Sequence, residues 1–196
     1  MAQIDYYFTP LSPFTYLAGL QLEEIAARHG ATIAYKPINF MRAMDEMGGL
    51  PVPKRHPSRQ AYRLQELPRI AKRNNLPLTL NPAHWPTNPV PAMSAILAAV
   101  AKGSDVVGPF AHRLAAACWA EERDIADPAV VAEIAHDNGL AFTGLELAAA
   151  EARIEPLTDE AIARGVFGAP WYAVGDQDFW GQDRLAYLDD HLAGKI

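Results

Sequence analysis

The sequence predicts an α/β fold whose sheet is assembled from the two ends of the chain around a long helical middle. An apolar strand, an amphipathic helix and a second strand follow one another in residues 1–36. Two short strands joined by a glycine turn, and then a helix, fill residues 171–192. Between them, from about 40 to 165, nothing alternates as a half-buried strand does, and apolar residues recur at helical spacing.

Ile4 to Phe8 is an apolar run that reads as the first strand. Phe14, Leu17, Ala18, Leu22, Ile25 and Ala26 then fall on one face of a helix expected over Pro13–His29, with Gly30 as its stop. Ser12 stands where an N-cap belongs, and Pro13 where a first helical residue tolerates a missing N–H. Residues 31–36 give the second strand, and a strand, helix, strand order of this length is a parallel, right-handed βαβ unit. The middle reads as helices over 58–73, 91–102, 105–122, 127–138, 143–153 and 157–165, with long loops at 43–57 and 77–91. Strands at Trp171 to Val174 and Gln177 to Trp180 are joined by Gly175-Asp176, a pair suited to a tight hairpin turn. The last helix is expected over Asp183–Leu192, with Leu185, Leu188 and Leu192 on one face.

Composition narrows the function classes. With 196 residues, half of them hydrophobic, the chain can bury a full core. Its 17 basic and 23 acidic residues give a net charge of −6, which is no electrostatic footprint for nucleic acid or an anionic membrane. No apolar run approaches a membrane span and no leader pattern opens the sequence, so a cytoplasmic protein is expected. The single cysteine, Cys118, rules out an internal disulfide or C-x-x-C pair, and its small-residue helical setting reads as a buried inert thiol. The six histidines are scattered, and no metal site is expected.

A hydroxyl at position 12 lies beside free backbone N–H groups and the positive end of a helix dipole, which favour an anion by roughly 0.3–1 kcal/mol. Taken alone, Ser-Pro opening a helix is ordinary capping. The wider pattern adds to it. Ser12-Pro13-Phe14-Thr15-Tyr16 resembles the Ser-Pro-x-Ser/Thr-Tyr opening of the 2-hydroxychromene-2-carboxylate isomerases and the related kappa-class glutathione transferases. Gly165-Val166-Phe167-Gly168-Ala169-Pro170 and Phe179-Trp180-Gly181-Gln182-Asp183-Arg184-Leu185 are similar to that family's second and third motifs, in the same order. The resemblance spans essentially the whole chain.

That resemblance implies a thioredoxin-like fold of the DsbA and kappa-transferase type. Residues 1–38 and 166–196 would form its discontinuous domain, and 39–165 a helical insertion. It implies glutathione as cofactor, with Ser12 stabilising the thiolate and replacing the first redox cysteine, and Thr15 replacing the second. Pro170 would be the cis-proline, and Phe14, Ala169, Trp180, Gly181, Gln182 and Asp183 would complete the glutathione site. Asp183 reads equally as a first-turn acid of its own helix, and Trp180 as core. For a small aromatic carboxylate substrate the resemblance points to the two long loops: His84, Trp85 and Asn88, with Arg42, Lys54 or Arg55 as carboxylate partners. The family's substrate-contacting lysine falls near the apolar Met44. The implied activity is a glutathione-dependent cis/trans isomerase, in a homodimer, acting by reversible thiolate addition. A kappa-class-like transferase and a non-enzymatic binding module are the alternatives.

Overall fold

The computed structural model describes residues 1–196. β1 (Gln3–Phe8) pairs in parallel with β2 (Thr32–Pro37) and antiparallel with β3 (Trp171–Val174), which pairs antiparallel with β4 (Gln177–Trp180). The strand order is therefore β2-β1-β3-β4, so the two ends of the chain meet along the first strand. Both C-terminal strands lie where hydrophobic pattern and turn chemistry put them.

Between β1 and β2 the expected single helix is two helices, α1 (Pro13–Leu17) and α2 (Gln21–His29). Gly19 at φ +63° turns the chain between them, a conformation that any residue with a Cβ resists. The apolar spacing runs unchanged across the break because both pieces lie on the same sheet face, and so the break leaves no mark on the periodicity.

α3 (Phe40–Glu46) corrects the reading of 43–57 as loop throughout. Its N-cap is Asn39, whose side chain accepts from the Arg42 N–H at 3.3 Å. That Asn before an apolar pair was the missed signal. A short 3-10 turn follows at Val52–Lys54, then α4 (Pro57–Arg73), α5 (Val90–Ala101), α6 (Val107–Trp119), α7 (Pro128–Asp137), α8 (Gly144–Glu151) and α9 (Ile154–Arg164). Thr143 and Glu146 form a reciprocal capping box at the start of α8. The last helix, α10 (Leu185–Leu192), begins two residues later than expected, because Gly181 at φ +105° prolongs the preceding turn.

Side chains alternate across the sheet as the pleat requires. Ile4, Tyr6 and Phe8 belong to the largest core, with Leu17 and Leu22 of the βαβ unit and Ile96, Phe110 and Trp119 of the helical middle. Tyr7, Trp171 and Ala173 enter a second cluster with Ile38, Ala161 and Val166. The main core thus crosses from the sheet into the middle segment. Polar ties hold the middle on α1: the Tyr16 hydroxyl donates to Pro77 O at 2.6 Å, and Asn74 Nδ2 to Leu17 O at 2.7 Å. No helix is long and apolar enough to cross a membrane.

Candidate functional site

The start of α1 and the chain entering β3 are in contact. Ser12, 8% exposed, caps α1 by accepting from the Thr15 N–H at 3.3 Å, and its own hydroxyl donates to the Ala169 carbonyl at 3.0 Å. The Ala169–Pro170 bond is cis. Two residues 157 positions apart are therefore joined by one buried hydrogen bond. Around it the main chain keeps free donors: the N–H groups of Phe14 and Ala169 have no intramolecular partner. The turn before α10 closes onto the same place. Gly181 N–H donates to Pro170 O at 2.9 Å, and the N–H groups of Gln182 and Asp183 are free. The Trp180 indole lies against Gly168, where a Cβ would collide with it, while Phe167 meets Trp180 edge-on at 4.7 Å. Asp183 is exposed and paired with Arg184 at 2.7 Å. It lies ahead of α10 rather than in its first turn, so the helix-acid reading of it does not hold.

Comparison with known proteins places the chain in a family. Residues 3–193 match the DSBA-like thioredoxin domain family. A 2-hydroxychromene-2-carboxylate isomerase of Sphingobium xenophagum is 31% identical over 194 residues, which cover 96% of this chain and 97% of the relative. The chain belongs to this isomerase family. The solved structure of a 2-hydroxychromene-2-carboxylate isomerase superposes with a TM-score of 0.79 at 27% identity, covering 98% of this chain and 95% of the other. Glutathione S-transferase kappa 1 of Caenorhabditis elegans is 26% identical over 207 residues, covering 98% of this chain and 91% of the relative. The protein is an enzyme of the isomerase class.

In this isomerase the residues expected on the substrate side divide. Trp85 stands beside the hydroxyl: its indole N–H donates to the carbonyl of Leu11, the residue before Ser12, at 3.2 Å, and its ring packs on Trp119 at 5.5 Å. The Trp85–Pro86 bond is cis as well, which no sequence signal announced. Met44 is buried, and Arg55 Nη2 lies 3.8 Å from its sulfur, so a guanidinium stands beside the position where the resemblance puts a lysine. Arg42, by contrast, is occupied by Glu155 at 2.7 Å, Asp159 at 2.6 Å and Glu46 at 3.1 Å, and so ties α3 to α9. His84 faces Asp124 at 3.8 Å, Asn88 accepts from the Val90 N–H at the start of α5, and Lys54 is exposed without an ion pair.

Two features escaped the sequence reading. Arg63 of α4 lies over the Trp85 ring at 5.4 Å, although it reads as one more charge on an amphipathic helix. Under the βαβ unit, Thr15 Oγ1, Glu23 Oε2 and His112 Nε2 are buried without protein partners around a cavity, walled also by Tyr35 and Gly108, that leaves about 20 Å³ for solvent, enough for one water. Burial pushes the Glu23 carboxyl above its ordinary range, against the pull of the Tyr35 hydroxyl at 3.0 Å. Gly108 of α6 makes room there, since a Cβ would meet both Glu23 and Tyr35. Cys118 is 1% exposed and burial pushes its thiol up to about 12, which leaves it un-ionised near neutral pH.

Proposed function

We propose that the protein is a glutathione-dependent cis/trans isomerase acting on 2-hydroxychromene-2-carboxylate and trans-o-hydroxybenzylidenepyruvate, or a close aromatic analogue from aromatic catabolism. The observation that carries this reading is the Ser12 hydroxyl bonded to the carbonyl ahead of the cis proline, in a chain whose one cysteine is buried elsewhere. The residues present fit a γ-glutamyl tripeptide. The free N–H of Ala169 offers strand-like main-chain pairing, and the free N–H groups of Gln182 and Asp183, with the Asp183 carboxylate, suit the α-carboxylate and α-amino ends.

When bound, glutathione supplies a thiolate that adds reversibly to the conjugated enone, so that a double bond becomes a rotatable single bond, and it leaves unchanged. This chain's part is to favour ionisation of a thiol whose free pKa is about 8.5. Ser12 turns its hydroxyl from Ala169 O to the sulfur, and the Phe14 N–H adds a second donor. With only five residues, α1 brings a small macrodipole, so these local donors carry most of the effect. Trp85 and Arg55 hold the electrophile beside that sulfur. A cytoplasmic homodimer belongs to the same reading, and light scattering checks its assembly.

The test is to incubate the protein with trans-o-hydroxybenzylidenepyruvate, with and without glutathione, and to follow the products by absorbance and mass. An isomerised product with free glutathione supports the proposal, and turnover that ignores glutathione sinks it. A stable conjugate would instead favour a kappa-class-like transferase, the second reading that the nematode relative supports. A binding module without chemistry would leave both enone and glutathione untouched.

A further inference from the structure

Lys54, Arg55, Arg59 and Arg63 are four successive cations of a chain whose net charge is −6. The cations flanking them in sequence, Arg42 and Arg69, both meet carboxylates, yet these four have none within 4 Å. Two of the four, Arg55 and Arg63, are half-buried. Arg55 is held by neutral acceptors, Leu50 O at 2.7 Å and Met44 Sδ at 3.8 Å. Arg63 has no hydrogen-bond acceptor and rests on the face of Trp85. Burial lowers the proton affinity of both guanidinium groups, and Arg55 adds to the effect on Arg63 by like-charge repulsion. Half-buried cations brought together without an anion are unfavourable unless something else uses them.

Their position says what that use is. Trp85 carries Arg63 on its ring and, through its indole N–H, touches the carbonyl directly before Ser12. The free guanidinium therefore lies one aromatic side chain away from the place of chemistry. We propose that Arg63, together with Arg55, forms a two-guanidinium clamp for the carboxylate of the electrophile, on the wall that Trp85 shares with Ser12. Planar guanidinium forks match a carboxylate in two-pronged fashion, and a clamp half-removed from water selects anionic over neutral electrophiles. Arg63 is thereby a specificity-determining residue, whichever product the thiol chemistry yields. The inference rests on the proposed function only in taking Ser12 as the reacting end.

The experiment compares trans-o-hydroxybenzylidenepyruvate with its neutral methyl ester, using the wild type, Arg63→Met, which keeps an aliphatic stem on Trp85, and Arg63→Lys, which keeps the charge. Arg63→Met is expected to raise KM for the acid at least tenfold while KM for the ester stays within twofold and kcat within threefold. Arg63→Lys should recover only part of the loss, since it keeps the charge but not the planar fork. An equal effect on acid and ester, or none on the acid, overturns the clamp. A second arm needs no turnover: trans-cinnamate is titrated against tryptophan fluorescence in the wild type and in each variant. At least tenfold weaker binding in Arg63→Met supports the clamp, and equal binding, or none by the wild type, overturns it. If the wild type turns over neither enone, the isomerase reading fails and the cinnamate arm still judges Arg63. Arg63→Gln carries the same expectations should Arg63→Met not fold.

Discussion

On one side of Ser12 the site is made of main chain, and on the other it is made of long side chains. The first side comprises the N–H groups of Phe14, Ala169, Gln182 and Asp183 and the carbonyls of Ala169 and Pro170, all positioned by the βαβ unit and the cis-prolyl turn. The second is the side proposed for the electrophile: Trp85, which donates to Leu11 O and carries Arg63 on its ring, and Arg55 beside Met44, all brought in by the helical middle. Backbone donors come with the fold whatever residue they belong to, and on the proposed function they hold the thiol ligand. Side chains are individual, so they suit what differs. On the proposed function, the electrophile side can therefore change without disturbing the thiol side.

Four substitutions break or sharpen that contrast, from the largest expected effect to the smallest. Ser12→Ala should lower glutathione-dependent turnover at least tenfold, because it removes the one side-chain donor on the main-chain side. It also removes the helix cap and leaves the Ala169 carbonyl without its donor, together about 1–3 kcal/mol of stability. Steady-state rates and a thermal melt check both, and unchanged turnover would take Ser12 out of the chemistry.

Gly168→Ala drives a methyl into the Trp180 indole, so KM for glutathione should rise several-fold, with about 1–3 kcal/mol of destabilisation. KM for the electrophile should hardly move; if it rises equally, the two sides are not separate. Glu23→Gln probes the buried cavity lined by Glu23 and Tyr35, apart from either side. A carboxyl whose folded pKa is raised favours the fold below its unfolded value, near 4.5, and that advantage is lost as pH rises through the folded value. The neutral amide should therefore raise Tm at pH 7.5, by roughly 2–4 °C per kcal/mol of relieved burial cost, and leave it unchanged near pH 4. A gain at both pH values would mean that charge burial is not the cause. Arg42→Met should leave KM for the acid unchanged and lower Tm only slightly, since its carboxylate partners are exposed surface acids. A tenfold rise in KM would return Arg42 to the substrate side.

The main-chain side was the more legible of the two. Ser12-Pro13 announced a capped helix start, and Gly175-Asp176 a hairpin, because caps and turns are set by residues adjacent in the chain. The break at Gly19 was hidden, since periodicity reports which face is buried and not whether the helix runs through. Asn39 was readable as a cap but lay in a stretch rich in loop residues. The side-chain side was least legible. Arg42 and Arg55 look alike in sequence, and only the carboxylates of α9, more than a hundred residues further on, separate a cation with an anionic partner from one without.

The amino-acid pattern by itself determined the strands at both ends, the cap at Ser12 and the absence of an internal disulfide, because each depends on near neighbours or on simple counts. The tertiary structure alone decided that Ala169 meets Ser12, that Glu23 is half-buried against Tyr35, and that Arg63 stands unneutralised over Trp85. Those facts depend on distances between residues far apart in sequence, and they are fixed only when the sheet closes and the helical middle packs onto α1.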